Sequence, residues 1–242
     1  MQGKLKIITI GDYKDSILEK LFKDNEIIEF LELPLNRDIE DLNTNFSKKD
    51  IVFLRSNEEN LEKLLEVGKA LKEKEIVTVT FLEVKIVMEN RKVLEETINA
   101  IFPVNKKDDI ENLFLELIKM IYNIIFERCY INLDIEDIKS MLRDSGISVF
   151  GSLNINKTIS KEDIIKNINY PFYPKNLKDS KKLLIFLDTL EGFVLTEGEL
   201  ITDTLRNESG KTIEDVLFSI RMANRLKNRI ECSFIASVFK EE

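Results

Sequence analysis

Apolar positions along the first hundred residues fall into two rhythms. Short aliphatic runs occur at Lys4–Ile10 (KLKIITI), Ile27–Leu33, Asp50–Leu54 (DIVFL), Glu75–Phe81 (EIVTVTF) and Ala100–Val104 (AIFPV). Their length and β-branched content predict five strands. Between them, apolar residues recur every three or four positions. That spacing predicts helices over Asp12–Lys23 (Ile17, Leu18, Leu21, Phe22), Asn57–Lys74 (Leu61, Leu64, Leu65, Val67, Leu71) and Arg91–Asn99. Pro34–Lys49 is polar and is expected to hold one short helix. Strands that are apolar throughout, each followed by a helix, predict a parallel sheet covered on both faces.

A different pattern starts at Asp108. The stretch DIENLFLELIKMIYNIIFER has apolar residues at Ile110, Leu113, Phe114, Leu117, Ile118, Ile121, Ile124 and Ile125. Leu115, Met120, Tyr122 and Phe126 widen that face, leaving a narrow polar stripe. A helix apolar on most sides is buried on most sides. Asp108 is placed as its N-cap, with Asp109 and Glu111 favoured by the helix dipole. About 20 residues span roughly 30 Å, the width of a small domain, so the helix reads as a strut between two domains. Glu111, Glu116, Lys119 and Glu127 interrupt it too often for a membrane span.

Beyond it, Ile135–Asp144 predicts a helix, Gly146–Gly151 a strand, and Ser160–Asn169 a helix opened by an S-x-x-D cap and ended by Pro171. Lys182–Asp188 predicts a strand and Thr196–Glu208 a helix stopped at Gly210. Asp215–Arg221 and Arg229–Phe239 predict strands joined by the polar turn Met222–Asn228 as a closing hairpin. The expected fold class is α/β: a parallel-sheet N-terminal domain over residues 1–107, a long central helix over 108–128, and an α+β C-terminal domain over 129–242.

Composition narrows the chemistry. With 43% hydrophobic and 33% charged residues the chain can bury a core and keep a solvated surface. A net charge of -8 with no basic stripe argues against nucleic acid. There is no histidine, which removes His-based nucleophile chemistry and His-ligated metals. Cys129 and Cys232 lack metal-ligand spacing and read as buried thiols of a reducing cytoplasm. MQGKLKIITI has no signal-peptide layout, and a cytoplasmic location without direct membrane contact is expected.

Parallel sheets bind ligands at the carboxyl ends of their strands, through loops that usually need glycine. The first strand is followed by Gly11-Asp12-Tyr13-Lys14-Asp15 and the third by Arg55-Ser56-Asn57-Glu58-Glu59-Asn60. A phosphate cradle needs bare backbone amides; Asp12, Asp15, Glu58 and Glu59 would repel the ligand. No cofactor, metal or nucleotide site is expected. The other candidate is Asn132-Leu133-Asp134-Ile135-Glu136-Asp137. Locally, Asp134 caps the following helix and Asp137 favours its first turn. Catalytic use would have the two carboxylates polarise a water against a phosphoryl group or help hold a metal.

A long apolar helix, then I-N-L-D-I-E-D-I, then a helix, closely resembles the bacterial tubulin homologue FtsZ. Asn132, Asp134 and Asp137 match that family's N-x-D-x-x-D loop. The similarity continues through Gly146–Gly151, Leu183–Asp188, Leu195-Thr196-Glu197 and Ile235–Phe239. Over residues 1–107 only the strand order matches, and the family's glycine-rich loop after the third strand is replaced by Arg55–Asn60. The resemblance implies a tubulin/FtsZ-like fold and a catalytic loop that acts in trans, completing the GTP site of the next subunit in a filament. By resemblance, then, Asn132, Asp134 and Asp137 are the donor half of a site. The receiving half, at Gly11, Asp12, Arg55, Ser56 and Asn57, is degenerate. The expected role is a cell-division or cytoskeletal protein without GTPase activity of its own, pairing with FtsZ or with itself, or capping FtsZ filaments. No disordered tail for membrane adaptors is expected. A nucleotide-independent self-assembling protein and a divergent GTPase are the alternatives.

Overall fold

The computed structural model describes residues 3–11, 20, 22, 25–42, 44–105, 110–156, 160–170, 176–210, 213–224, 226–227 and 229–238. The chain divides into two compact units: Met1–Leu115 with Leu142–Ile147, and Glu116–Met141 with Ser148–Glu242.

The first unit is built on a parallel sheet of β1 (Leu5–Ile10), β2 (Ile28–Leu33), β3 (Ile51–Arg55), β4 (Val77–Glu83) and β5 (Ala100–Val104), in the order β2-β1-β3-β4-β5. The register places Ile7 beside both Phe30 and Phe53. Every residue of β3 and β5 is buried, as expected for a parallel sheet covered on both faces. Helix α1 (Leu61–Glu73) buries Leu64, Val67 and Leu71. Gly68 lets it approach closely: a Cβ there would stand 3.0 Å from Ile98 Cγ1 and 3.3 Å from the Thr97 carbonyl.

Two helices follow β4: α2 (Val84–Glu89) and α3 (Arg91–Thr97). The second is the helix expected from Arg91. The first was not read from the sequence, because Val84, Ile86 and Val87 are β-branched and continue the look of the strand. The short helix expected within Pro34–Lys49 is a 3-10 turn at Ile39–Asp41. Apart from Lys20 and Phe22, the helix expected over Asp12–Lys23 lies outside the described residues, as do Asp108 and Asp109. Lys6 is a buried cation that the aliphatic look of β1 conceals. It sits 3.1 Å from Glu29 and donates to Thr44 Oγ1 and the Asn45 carbonyl, each at 2.8 Å. Those partners meet the need of a buried charge for compensation.

The long helix α4 (Ile110–Phe126) contributes Ile110–Leu115 to the first unit and its remainder to the second. Phe114 is buried, edge-on to Phe53 and Phe81 at centroid distances of 5.7 and 4.8 Å.

The second unit holds α5 (Ile135–Leu142) up to Met141, β6 (Gly146–Ile155) from Ser148, α6 (Lys161–Asn167), β7 (Ser180–Thr189), α7 (Leu195–Ser209), β8 (Asp215–Met222) and β9 (Ile230–Val238). Gly146 and Ile147, in the first unit, pair with Ala100 and Ile101 of β5. The rest of β6 pairs antiparallel with β9. Ser160 caps α6 by accepting the Asp163 N–H at 3.1 Å, as its S-x-x-D signature predicts. The helix ends at Asn167, before Pro171, which lies outside the described residues. Gly210, at φ 84, ends α7.

The closing hairpin is overturned. The order is β6-β9-β7-β8: β9 lies between β6 and β7, and β8 runs parallel to β7 on its far side. Successive strands are about 4.8 Å apart, so the stretch from Ala223 to Arg229 must step over one strand, roughly 10 Å. A tight hairpin turn could not, and this longer connection can. Fifteen buried residues, among them Leu183, Ile185, Leu187, Ile201, Leu205, Phe234 and Ala236, form this unit's core.

Candidate functional site

The acidic turn is fixed at both ends. After α4, the Cys129 N–H donates to Asn132 Oδ1 at 3.0 Å, so the Asn132 side chain closes the turn. The Tyr130 N–H donates to the Ile220 carbonyl at 2.7 Å, Ile131 forms an antiparallel bridge with Ile220, and Ser219 Oγ donates to the Ile131 carbonyl at 2.8 Å. The turn is thus laced to β8. At its other end the two carboxylates lock α5: Asp137 N–H donates to Asp134 Oδ1 at 2.9 Å, and Asp134 N–H donates to Asp137 Oδ2 at 2.8 Å. This reciprocal arrangement satisfies backbone donors that a helix start leaves orphaned.

Asn132 and Asp134 are exposed and Asp137 is half-buried. Each carboxylate keeps one oxygen outside the capping pair. The sequence-predicted trio thus sits on one short, hydrogen-bonded turn, where each carboxylate serves the local cap with one oxygen. Beside it, Arg221 grips Asp188 with Nε and Nη2 at 2.6 and 2.7 Å, a two-pronged pair under partial burial. Lys139, nearly buried, pairs with Glu136 at 2.7 Å and so leaves Asp134 and Asp137 un-neutralised by that lysine.

In the first unit the strand order changes direction between β1 and β3, and ligands of open parallel sheets enter at such a point. Gly11 follows β1 there, at φ 83. A Cβ on Gly11 would lie 2.5 Å from Asn60 Nδ2 and 3.6 Å from Leu35 Cδ2. The Asn60 and Leu35 side chains thus lie against Gly11. Arg55, 8% exposed, ends β3; its guanidinium pairs with Glu111 of α4 and lies 5.4 Å from the Phe114 ring centroid. Ser56 Oγ donates to the Asn57 carbonyl at 3.1 Å, and Asn57 leads into a 3-10 turn, Glu58–Asn60. Asp12 lies outside the described residues.

A cavity of about 220 Å³ opens one strand over, lined by Arg55–Glu58, Phe81, Glu83, Ile86 and Phe114 among others. Its charged walls are carboxylates and an arginine already paired, which disfavours a polyphosphate. The Arg55–Glu111 pair was not read from the sequence. The signal was present: a lone arginine ends a strand otherwise apolar, and a lone glutamate opens an apolar helix. Among the described residues no group of three or more His, Cys, Asp or Glu could hold a metal ion, and no helix is long and apolar enough to cross a membrane.

No protein-family model and no curated protein sequence matches the chain. Solved structures do. FtsZ of M. jannaschii, as an empty dimer, superposes with a TM-score of 0.71 at 12% identity, over 98% of this chain and 88% of that one. TubZ of Bacillus thuringiensis serovar israelensis, in GDP-form protofilaments, gives 0.66 at 10% identity, over 97% and 83%. The same protein in a GTPγS-form protofilament gives 0.66 at 11%, over 96% and 86%. The chain has an FtsZ/tubulin-like fold.

Proposed function

We propose, taking that fold as the premise, that the protein is a cytoskeletal subunit that works in trans. It presents Asn132, Asp134 and Asp137 to a nucleotide-bearing neighbour of the FtsZ type and holds no guanine nucleotide itself. One observation carries the reading. The acidic turn is cross-bonded and charged, while Asn60 and Leu35 lie against Gly11 at the end of β1 and Arg55, at the end of β3, is paired with Glu111. A carboxylate pair held by its own backbone needs no reorganisation to orient a water on a neighbour's phosphate. A subunit with no nucleotide on its opposite face would end a filament rather than extend it. Such a protein is a cap or modulator of division filaments.

Two assays test this. Fluorescent GTP titrated against the purified chain, with mass spectrometry for co-purified GDP, is expected to show neither binding nor carry-over. Addition below equimolar ratio to polymerising FtsZ is expected to shorten filaments and alter GTP turnover. A bound guanine nucleotide, or FtsZ polymer unchanged in length and turnover, overturns the reading.

A further inference from the structure

The acidic turn keeps its shape through its own bonds, but those bonds do not place it. Asn132 ties back to the Cys129 N–H, and Asp134 and Asp137 each accept the other's N–H. Each of these bonds joins residues three apart, so the whole turn could shift with all of them intact. Its place is set by what joins it to β8.

Two of those joints are backbone alone. The N–H groups of Tyr130 and Ile131 donate to the Ile220 carbonyl at 2.7 and 3.3 Å. In return the Ile131 carbonyl accepts the Ile220 N–H at 3.4 Å, which is long for such a bond. The shorter bond to that carbonyl comes from a side chain. Ser219 Oγ donates to it at 2.8 Å, the usual length for a hydroxyl donor. Ser219 is fully buried, and its hydroxyl also hydrogen-bonds with the Cys129 thiol. One buried hydroxyl thus meets the residues on both sides of Tyr130, from a place 88 positions away from Ile131 in the chain.

The strand that carries Ser219 is itself braced. Ser219 is in register with Phe186 of β7. Two residues on, Arg221 grips its own register partner, Asp188, with the two bonds already described. A two-pronged charged pair is among the stronger polar contacts, so β8 is a fixed base from which Ser219 reaches out.

We infer that Ser219 is the positioning residue of the acidic turn. It sets the distance of Ile131 from β8, and Asn132 follows Ile131 directly, so it sets where Asn132, Asp134 and Asp137 stand. It acts through Ile131 and Cys129 and touches no reacting group. The consequence for a neighbour's nucleotide rests on the trans-acting reading above; the local placement does not.

Thiol labelling of the full chain, resolved peptide by peptide by mass spectrometry, tests the placement without nucleotide or FtsZ. Cys129 meets the Ser219 hydroxyl, while Cys232 lies in the core of the same unit and serves as the reference. Ser219→Ala is expected to speed native labelling of Cys129 about fivefold, the factor that one lost hydrogen bond puts on a local opening. Cys232 should keep the parent's rate, and the Tyr130 and Ile131 amides should exchange faster. Ser219→Thr keeps the hydroxyl and should label like the parent. Ser209→Ala removes an equally buried hydroxyl, bonded to the Leu205 carbonyl at 3.0 Å in α7, and should leave Cys129 unchanged. Parental labelling or exchange in Ser219→Ala, both thiols quickened alike, or Ser219→Thr as fast as Ser219→Ala overturns the inference.

Polymerising FtsZ supplies the readout that mere stability would not move. Ser219→Ala is expected to shrink the maximal change in GTP turnover while the concentration giving half of that change stays the same. The turn still docks, and its carboxylates are misplaced. A full-sized change with Ser219→Ala overturns the positioning role. If the parent itself leaves turnover untouched, the trans-acting reading fails, and labelling and exchange still decide what Ser219 holds.

Discussion

Gly151 of β6 faces Phe234 of β9, and the phenyl ring takes the space a side chain on Gly151 would need. In the β6–β9 register the two residues are direct partners, and a Cβ on Gly151 would stand 2.1 Å from the ring's Cζ. Tyr170 packs edge-on to the same ring, with centroids 6.0 Å apart. One missing side chain thus seats a fully buried aromatic in the core of the second unit.

Gly151→Ala is therefore expected to destabilise the protein by about 1–3 kcal/mol, the range for overpacking a filled core. Three ring atoms lie within 3 Å of the added methyl, so a small side-chain shift cannot relieve it. Urea denaturation checks the size. Phe234→Leu on the Gly151→Ala background should recover part of the loss, and strict additivity of the two would contradict the contact.

The reciprocal cap at Asp134 and Asp137 makes a prediction of its own. Asp134→Ala removes the acceptor of the Asp137 N–H and should lose about 1 kcal/mol. Asp134→Asn should lose much less, since asparagine caps as well. Asp137→Ala removes the reverse bond, and the double variant should lose less than the sum of the singles, because one local arrangement serves both. Denaturation midpoints of the four variants and the parent decide it, separately from any effect on a neighbour's turnover.

Glu197 gives a signed pH dependence. The Arg229 guanidinium holds its carboxyl below the usual 4.5, burial opposes, and the Val194 N–H adds to the lowering. A carboxyl whose folded pKa is depressed stabilises above its unfolded value and loses that contribution as pH falls through the folded one. Glu197→Gln should thus cost about 1.5–3 kcal/mol at pH 7, the range for a hydrogen bond to a charged group. The deficit should shrink steadily below pH 4.5. Urea denaturation of both proteins at pH 7 and pH 3 is the measurement, and an equal deficit at both would contradict it.

Cys129 and Cys232 are both buried free thiols, and burial pushes both pKa values up. The thiolate is the reactive form. The native protein should react slowly with a disulfide reagent at pH 8, and both thiols should react at once in denaturant. Fast native labelling of Cys232 would show that its surroundings open.

The local features were legible in the amino-acid order. The β-branched runs became β1–β5, Ser160 and Asp163 became a cap, Gly210 ended α7, and Asp134 and Asp137 met on one turn. Each is decided by residues within a turn or two of one another, where pleat, helix period and cap chemistry act without help from the rest of the chain. Tertiary structure decided what lies opposite what. An aliphatic run such as Arg229–Phe239 states that it is a strand, and does not state that β9 lies between β6 and β7. That followed from long-range fit, as between Gly151 and Phe234. The approach of Asn60 to Gly11, the burial of Arg55 with Glu111, and the gathering of Tyr130, Val194, Leu195 and Met222 are of the same kind. Each joins residues tens of positions apart, and only packing brings such residues together.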